Sequence, residues 1–316
     1  MILDSSVLLR TEDLRPLATT RSPIDLAVLA SSILVLLGGE DTVAPRLALM
    51  IAGRMRPASG RILVGESLVE VGTREARDLV KMVDREFAYP PGVTVRGQLA
   101  LAVAAAGYKR ADSAEIVGNL ASWCSLGDLL DELIGDLTPV SRYMVGFAVA
   151  CLPLPKVLVL QGPFPVEAHR LLSDLCDSGC TIVAAVPGVE HAPRSAERIA
   201  ICSEDGVATV IRFQELSEAC SDLMRLTIRF LPALPRVVME SLHGARDIVA
   251  VEGGYSFHHD NLSTAVTNLV NLARANSRTI VGLEMRPPSP AEIASRLSAA
   301  KDDREADLFC PEDLDI

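Results

Sequence analysis

Aromatic residues are scarce in this chain. Phe, Tyr and Trp together make up 4% of 316 residues, against 49% hydrophobic residues overall. The core must therefore be built from Leu, Val, Ala and Ile, which suits an α/β protein with buried parallel strands. Basic charge is also short. Thirty Lys and Arg face 41 Asp and Glu, for a net charge of −11, and this argues against a nucleic-acid partner, which needs a basic footprint. None of the seven cysteines forms a CxxC pair, so they read as small buried thiols of a reducing compartment. Cys176 and Cys180 fall i,i+4 on an expected helix. The opening MILDSSVLLRTEDLR lacks a basic stretch ahead of an apolar one, so no secretory leader is expected. No run is of membrane-spanning length. Leu26–Leu37 is short, and Tyr143–Leu160 is interrupted by Pro153, Pro155 and Lys156. A soluble protein is expected, one that can still sit on a membrane protein.

What is present centres on residues 31–60, SSILVLLGGEDTVAPRLALMIAGRMRPASG. The pattern predicts a buried strand over Ile33–Leu37, a turn at Gly38-Gly39 and an apolar helix ending at Gly53. Strand, glycine turn and helix form the setting of a phosphate-binding loop. A working loop follows G-x-x-x-x-G-K-[ST], with the lysine on the phosphates and the hydroxyl on Mg²⁺. Counted from Gly38, the second glycine is Val43, the lysine Ala44 and the hydroxyl position Pro45. Arg46 or Glu40 is expected to fold into the vacated space.

The remaining chain alternates strands and helices. Short antiparallel strands are expected within residues 1–30 and a strand pair over 61–72 about Gly65. Helices are expected over 74–82, 95–107 (Thr94 as N-cap), within 111–133, and from Thr138-Pro139 to before Pro153. Strands Val157–Leu160, Thr181–Val186 and Ile199–Cys202 are separated by helices over 166–177 and 190–197, and a hairpin follows over 204–211. This order predicts a parallel sheet with helices on its faces. Trp123 reads as a core or groove residue. Residues 222–286 change to a small α+β pattern: a strand over 223–230, a hairpin across Gly253-Gly254, a helix over 261–275 and a strand over Thr279–Met285. A helix over 291–300 and an acidic tail, KDDREADLFCPEDLDI, complete it. The tail's composition reads as disordered and solvated. Its Leu308, Phe309 and Leu314 leave a docking peptide as the alternative. His258-His259-Asp260 reads as a surface turn rather than a metal site, because adjacent side chains on a strand point to opposite faces.

Three stretches carry a family resemblance. LVLLGGEDTVAPRLALMIAGRMRPASGRILVGE is similar to a Walker A strand, loop and helix. PPGVTVRGQLALA is similar to the stretch after a Q-loop. GDLTPVSRYMVGFAVACLPLPKVLVLQGPF is similar to a signature helix and Walker B strand. The chain thus resembles the nucleotide-binding subunit of an ABC transporter, in particular the ATPase subunits of ABC-2-type exporters. IVGLEMRPPSPAEIASRL resembles the end of the accessory domain in drug- and polysaccharide-export ATPases. The resemblance implies an α/β, ABC ATPase-like (P-loop NTPase) core over 1–214 with a helical subdomain at about 85–152. A small α+β accessory domain over 215–300 and the tail 301–316 follow.

It also implies where function would sit. The phosphate-binding lysine falls on Ala44, the Mg²⁺ hydroxyl on Pro45 and the Q-loop glutamine on Arg85. The signature falls on Leu137–Ser141, the Walker B aspartate on Gln161 and the catalytic glutamate on Gly162. The D-loop aspartate falls on Pro165 and the switch histidine on Pro187. Each replacement removes a charge, a donor or a base that phosphoryl transfer needs. The expectation is a pseudo-ATPase without cofactor or metal, a structural or regulatory subunit of an export complex. It would be cytoplasmic, peripheral to the inner (plasma) membrane through a permease-like subunit, and paired with itself or an ATPase-like sibling. Arg85, Phe87, Tyr89, Pro90 and Pro91 are the expected partner contact. A nucleotide sensor using Arg46 and Arg85 in place of the lost charges is the alternative.

Overall fold

The computed structural model describes residues 7–20, 22–83, 88–219, 223–259 and 261–297. One unit runs to Pro187 and resumes over His191–Val210; the other comprises Gly188–Glu190 and the chain from Ile211 onward.

The first unit opens with β1 (Val7–Arg15) and β2 (Ala27–Leu29), an antiparallel pair. Strand β3 (Ile33–Leu37) follows, buried at every position, and leads through the glycine turn into α1 (Ala44–Ile51). Strands β4 (Ser59–Val64) and β5 (Val69–Glu70) join β1 and β2 in a four-stranded sheet, order β2-β1-β4-β5. Helix α2 (Arg74–Leu79) is capped by the Thr73 hydroxyl, which accepts from Ala76 N–H, and gives way at once to β6 (Val80–Val83). The expected helix over 74–82 is therefore too long. Val80 to Val83 lie in register with Val157 to Leu160 on the neighbouring strand, and that pairing takes the segment from the helix.

Helices α3 (Val95–Ala105), α4 (Ser113–Trp123) and α5 (Pro139–Ala150) come next. Thr94 and Thr138 cap α3 and α5 through their side-chain oxygens, as their positions before apolar runs predict. The helical pattern expected as far as residue 133 breaks at Trp123 into short 3-10 turns. Trp123 stays half-buried, its ring 5.9 Å from that of Phe147 and its Nε1 donating to Asp174 at 3.1 Å. Strand β7 (Val157–Gln161), α6 (Val166–Asp177), β8 (Thr181–Val186), β9 (Arg198–Cys202) and β10 (Val207–Arg212) complete a six-stranded sheet, order β10-β9-β3-β8-β7-β6. In place of the helix expected over 190–197 there is one 3-10 turn, Val189–His191; Pro193 cannot donate to a helical ladder.

Strands β3, β7 and β8 pair in parallel and are covered on both faces. Leu34, Leu36, Val157, Val159 and Val183 meet α1 and the small sheet through Leu47, Ile51, Leu9 and Val64 in one continuous core. Helix α1 is thus sealed between two sheets, and Leu47 has no exposed surface.

The second unit contains α7 (Phe213–Ala219), β11 (Arg225–Leu231), α8 (Arg236–Glu240), β12 (Ala245–Val251), β13 (Gly254–His259), α9 (Leu262–Ala275), β14 (Thr279–Arg286) and α10 over residues 290–297. From β11 to β14 the order is βαββαβ and the antiparallel sheet runs β12-β13-β11-β14, the ferredoxin-like arrangement. Leu226, Ile228, Phe230 and Phe257 turn to α8 and α9 and form its core with Met239, Ala265 and Leu269. His258 and His259 lie in β13 rather than in a surface turn. They do point to opposite faces: His258 is half-buried, and His259 is 2% exposed with its Nε2 donating to the His243 carbonyl. Asp260 lies outside the described residues, as does the tail 301–316.

The thiols of Cys124, Cys180 and Cys202 are pushed up to about 12 and that of Cys176 to about 11, and that of Cys151 is also raised well above the ordinary value; burial is the main cause in each case. Above the ordinary thiol value of 9.0 the unfolded chain releases protons that the folded chain keeps. The stabilisation from this source is complete below pH 9 and is lost as pH rises toward 12, by about 1.4 kcal/mol per pH unit for each of the buried thiols and by less for the half-buried Cys176. Urea titrations between pH 8 and 10.5 should show that decline, and Cys202→Ala should reduce its slope. Leu47→Ala should lower stability by about 3 kcal/mol in the same assay.

Candidate functional site

The C-terminal ends of β3, β7 and β8 meet at one edge of the sheet, where Gly38–Val43 lead into α1. A phosphate cradle needs backbone N–H groups free to face an anion. Here those of Gly38, Thr42, Val43 and Ala44 are occupied. Gly38 N–H donates to the Val186 carbonyl at 2.9 Å, Thr42 N–H to the Gly39 carbonyl at 3.1 Å and Val43 N–H to the Ser203 carbonyl at 2.9 Å. Ala44 N–H donates to Thr42 Oγ1 at 3.2 Å, and that hydroxyl donates to the Gly39 carbonyl at 2.8 Å. Pro45 has no N–H. Thr42, 9% exposed, is thus folded back into the loop. A Cβ built on Gly38 would meet its Oγ1. The expectation for Arg46 or Glu40 is overturned, since both are exposed. A short hydroxyl side chain satisfies the loop's donors without desolvating a charge, which a guanidinium or carboxylate could not do as cheaply.

At the end of β7, Gln161 is half-buried and Gly162 N–H bonds the Ala185 carbonyl at 2.8 Å. The space beside Gly162 is taken. A Cβ there would lie 3.1 Å from Phe164 Cδ1 and 3.3 Å from Val186 Cγ1. Phe164 meets His169 in a tilted ring contact with centroids 4.7 Å apart, and burial lowers the pKa of His169 from its ordinary value. Pro165 precedes α6 as its N-cap without a side-chain hydrogen bond, and Pro187 is half-buried just after β8. Ahead of α5, Leu137 is buried, and Thr138 Oγ1 accepts from Ser141 N–H at 3.1 Å and lies 3.0 Å from Ser141 Oγ. Ala44, Pro45, Gln161, Gly162 and Pro187 therefore gather round one sheet edge. Among them only Gln161 carries a polar side chain, and none an ionisable one.

Arg85 and Phe87 lie outside the described residues. Of the other expected contacts, Tyr89 is half-buried and its hydroxyl accepts from Arg142 Nη1 of α5 at 3.3 Å, while Pro90 and Pro91 are exposed. A cavity of about 570 Å³ opens between the last turn of α1, α2, β6 and α5. Ala52, Val80, Met82 and Val149 give it apolar walls, and Arg77 and Lys81 stand at its rim. Sequence reasoning missed this groove, and it missed Thr42 and Ser203. For Thr42 the signal was a hydroxyl residue inside a loop that lacks its lysine.

The parallel sheet with a loop-capped α1, the antiparallel β1-β4 sheet packed over it and the helical insertion α3–α5 match solved structures. CbiO1 from Clostridium perfringens, part of the ABC transporter complex cbiONQ, superimposes with a TM-score of 0.59 at 19% identity over 67% of this chain and 91% of that one. An ATP-binding subunit of another ABC transporter gives 0.58 at 16% identity, over 67% and 92%. The fold is that of an ABC ATP-binding subunit. The chain is also similar in sequence to ABC import ATP-binding proteins. It is 26% identical over 201 residues to the methionine import ATP-binding protein MetN 2 of Rhodococcus jostii, covering 60% of this chain and 59% of the relative. It is 25% identical over 244 residues to the spermidine/putrescine import ATP-binding protein PotA of Frankia alni, covering 70% and 52%. The chain thus spans little more than half of these relatives. No protein-family profile matches it. No helix among the described residues is long and apolar enough to cross a membrane.

Introducing a lysine into this loop tests how far it is closed. Ala44 has no exposed surface, so Ala44→Lys takes an ammonium out of water. The variant should be destabilised by about 3 kcal/mol in urea unfolding, and Mg-ATP should not restore the loss.

Proposed function

We propose that this chain is a catalytically inactive ABC ATPase-like subunit, a structural or regulatory component of a membrane transport complex. The observation that carries the reading is the occupied loop. The N–H groups of Thr42, Val43 and Ala44 are bonded to Gly39, Ser203 and Thr42 Oγ1, so triphosphate would have to break those bonds to reach them and would meet the exposed carboxylates of Glu40 and Asp41 without a lysine. Gln161 is a neutral amide where Mg²⁺ would need a carboxylate, and Gly162 has no group to polarise water. The sensor reading would rest on Arg46, which is exposed on α1, and the occupied donors weigh against it.

The groove beside α1 and α5 gives this subunit a place to hold a partner. Its apolar walls and basic rim suit an amphipathic helix carrying acidic residues, and Pro90 and Pro91 offer further exposed surface. In this reading the partner is a permease-like membrane subunit, which keeps the chain at the inner (plasma) membrane, paired with itself or an ATPase-like sibling. The similar proteins are import ATP-binding proteins. An ABC-2 exporter assignment rests only on the resemblance of residues 280–297, so the proposal is for a transport complex of either direction.

Isolation of the tagged chain from detergent-solubilised membranes tests this. A membrane subunit should co-purify, and Val149→Trp, which fills the groove, should release it while the melting transition is kept. A chain recovered alone and monomeric from membranes and from cytosol would contradict the reading.

A further inference from the structure

The face of the second unit's sheet turned away from α8 and α9 is cationic, against the trend of an acidic chain. Register places Arg246, His258, Arg225 and Arg286 side by side in one row across all four strands. Arg229 lies two residues further along β11 on the same face. The row's residues belong to this face because their neighbours Leu226 and Phe257 turn inward to the core. The carboxylates among them are few: Glu284 pairs with Arg229 at 3.3 Å, and Asp247 follows Arg246 in a bulge. Arg225 Nη2 lies 2.8 Å from His258 Nε2. The arginine donates, which leaves the imidazole proton on Nδ1, and that buried atom has no hydrogen-bond partner among the described residues. Val249 and Val251 on β12 add exposed apolar surface, 53% and 36%, on the same side.

Helix α10 is directed onto this face. Its Ile293 is fully buried outside the core under α8 and α9. Glu292 is held below the usual carboxylate range chiefly by the Ser289 N–H, with the charge of Arg225 adding to the effect. The start of α10 therefore lies beside the row of arginines. Residues 301–316 carry seven carboxylates against two basic groups, with Leu308, Phe309 and Leu314 among them. The 19 residues from 298 to 316 can span up to about 60 Å, and four strands are only about 15 Å across.

We propose that the acidic segment 301–316 of this same chain docks on the cationic face of the ferredoxin-like sheet. Its carboxylates neutralise Arg225, Arg229 and Arg286, and its apolar residues cover Val249 and Val251. The segment is thereby an internal competitor for any other polyanion that approaches the face.

The test uses the full chain and a labelled peptide of residues 301–316 as probe. In one variant the segment's charge is reduced in place by Asp302→Asn, Asp303→Asn, Glu305→Gln and Asp307→Asn. At about 50 mM salt this variant should bind the peptide at least about tenfold more tightly than the native chain, whose own segment blocks the face. Arg229→Glu with Arg286→Glu, both exposed positions, should abolish the gain, and a peptide with those carboxylates changed to lysine should recover binding to the reversed face. Equal peptide binding by native and neutralised chains would overturn the proposal, as would a gain that survives the arginine reversals. Tight binding of a single-stranded oligonucleotide to the native chain, unaffected by neutralising the segment, would overturn it too and assign the face to nucleic acid.

Discussion

The parallel pairing of Ile33–Leu37 with Thr181–Val186 is the constraint on which the rest of the first unit depends. Both strands are apolar on both faces, so each must be covered twice. Helix α1 with the β1-β4 sheet covers one side, and α5 and α6 supply helices for the other. Covering both faces fixes the connections: the chain leaves each parallel strand at the same edge. The loops after β3, β7, β8 and β9 are thus brought together whatever residues they carry. This explains how a chain can keep the ABC fold while its sheet edge presents a hydroxyl, an amide, glycines and prolines.

That edge is closed from within. The Val43 N–H reaches across to Ser203 at the end of β9, and Thr42 closes the loop between Gly39 and Ala44. Phe164 and Val186 take the room beside Gly162. Buried backbone donors left bare would each cost about 1–3 kcal/mol, so a loop without an anion is stable only if it supplies its own acceptors. The groove at the opposite end of α1 is formed by different residues and depends on none of these bonds.

Local signals were legible and long-range ones were not. The all-apolar run at Ile33–Leu37, the caps at Thr94 and Thr138 and the α6 helix over 166–177 follow from side chains within a few residues of one another. The strand Val80–Val83 was hidden because its sequence also suits a helix, and only the partner at Val157–Leu160 decides. Pro193 did announce the end of a helix, and the expectation over 190–197 passed over it. Thr42, bonded only to Gly39 and Ala44 close by, was legible and passed over, whereas the acceptor of the Val43 N–H was not, because Ser203 lies 160 residues away. The row of arginines was invisible for the same reason: it exists only once β11, β12, β13 and β14 are in register.

The central claim is that the loop after β3 is closed to nucleotide by its own hydrogen bonds. Calorimetric titration of the purified chain with Mg-ATP to millimolar concentration tests it most directly. The account predicts no saturable heat and no shift of the thermal transition. Saturable binding in the micromolar range would contradict it, because the Thr42 and Ser203 bonds would then have to open for phosphate at a cost the loop has no lysine to offset.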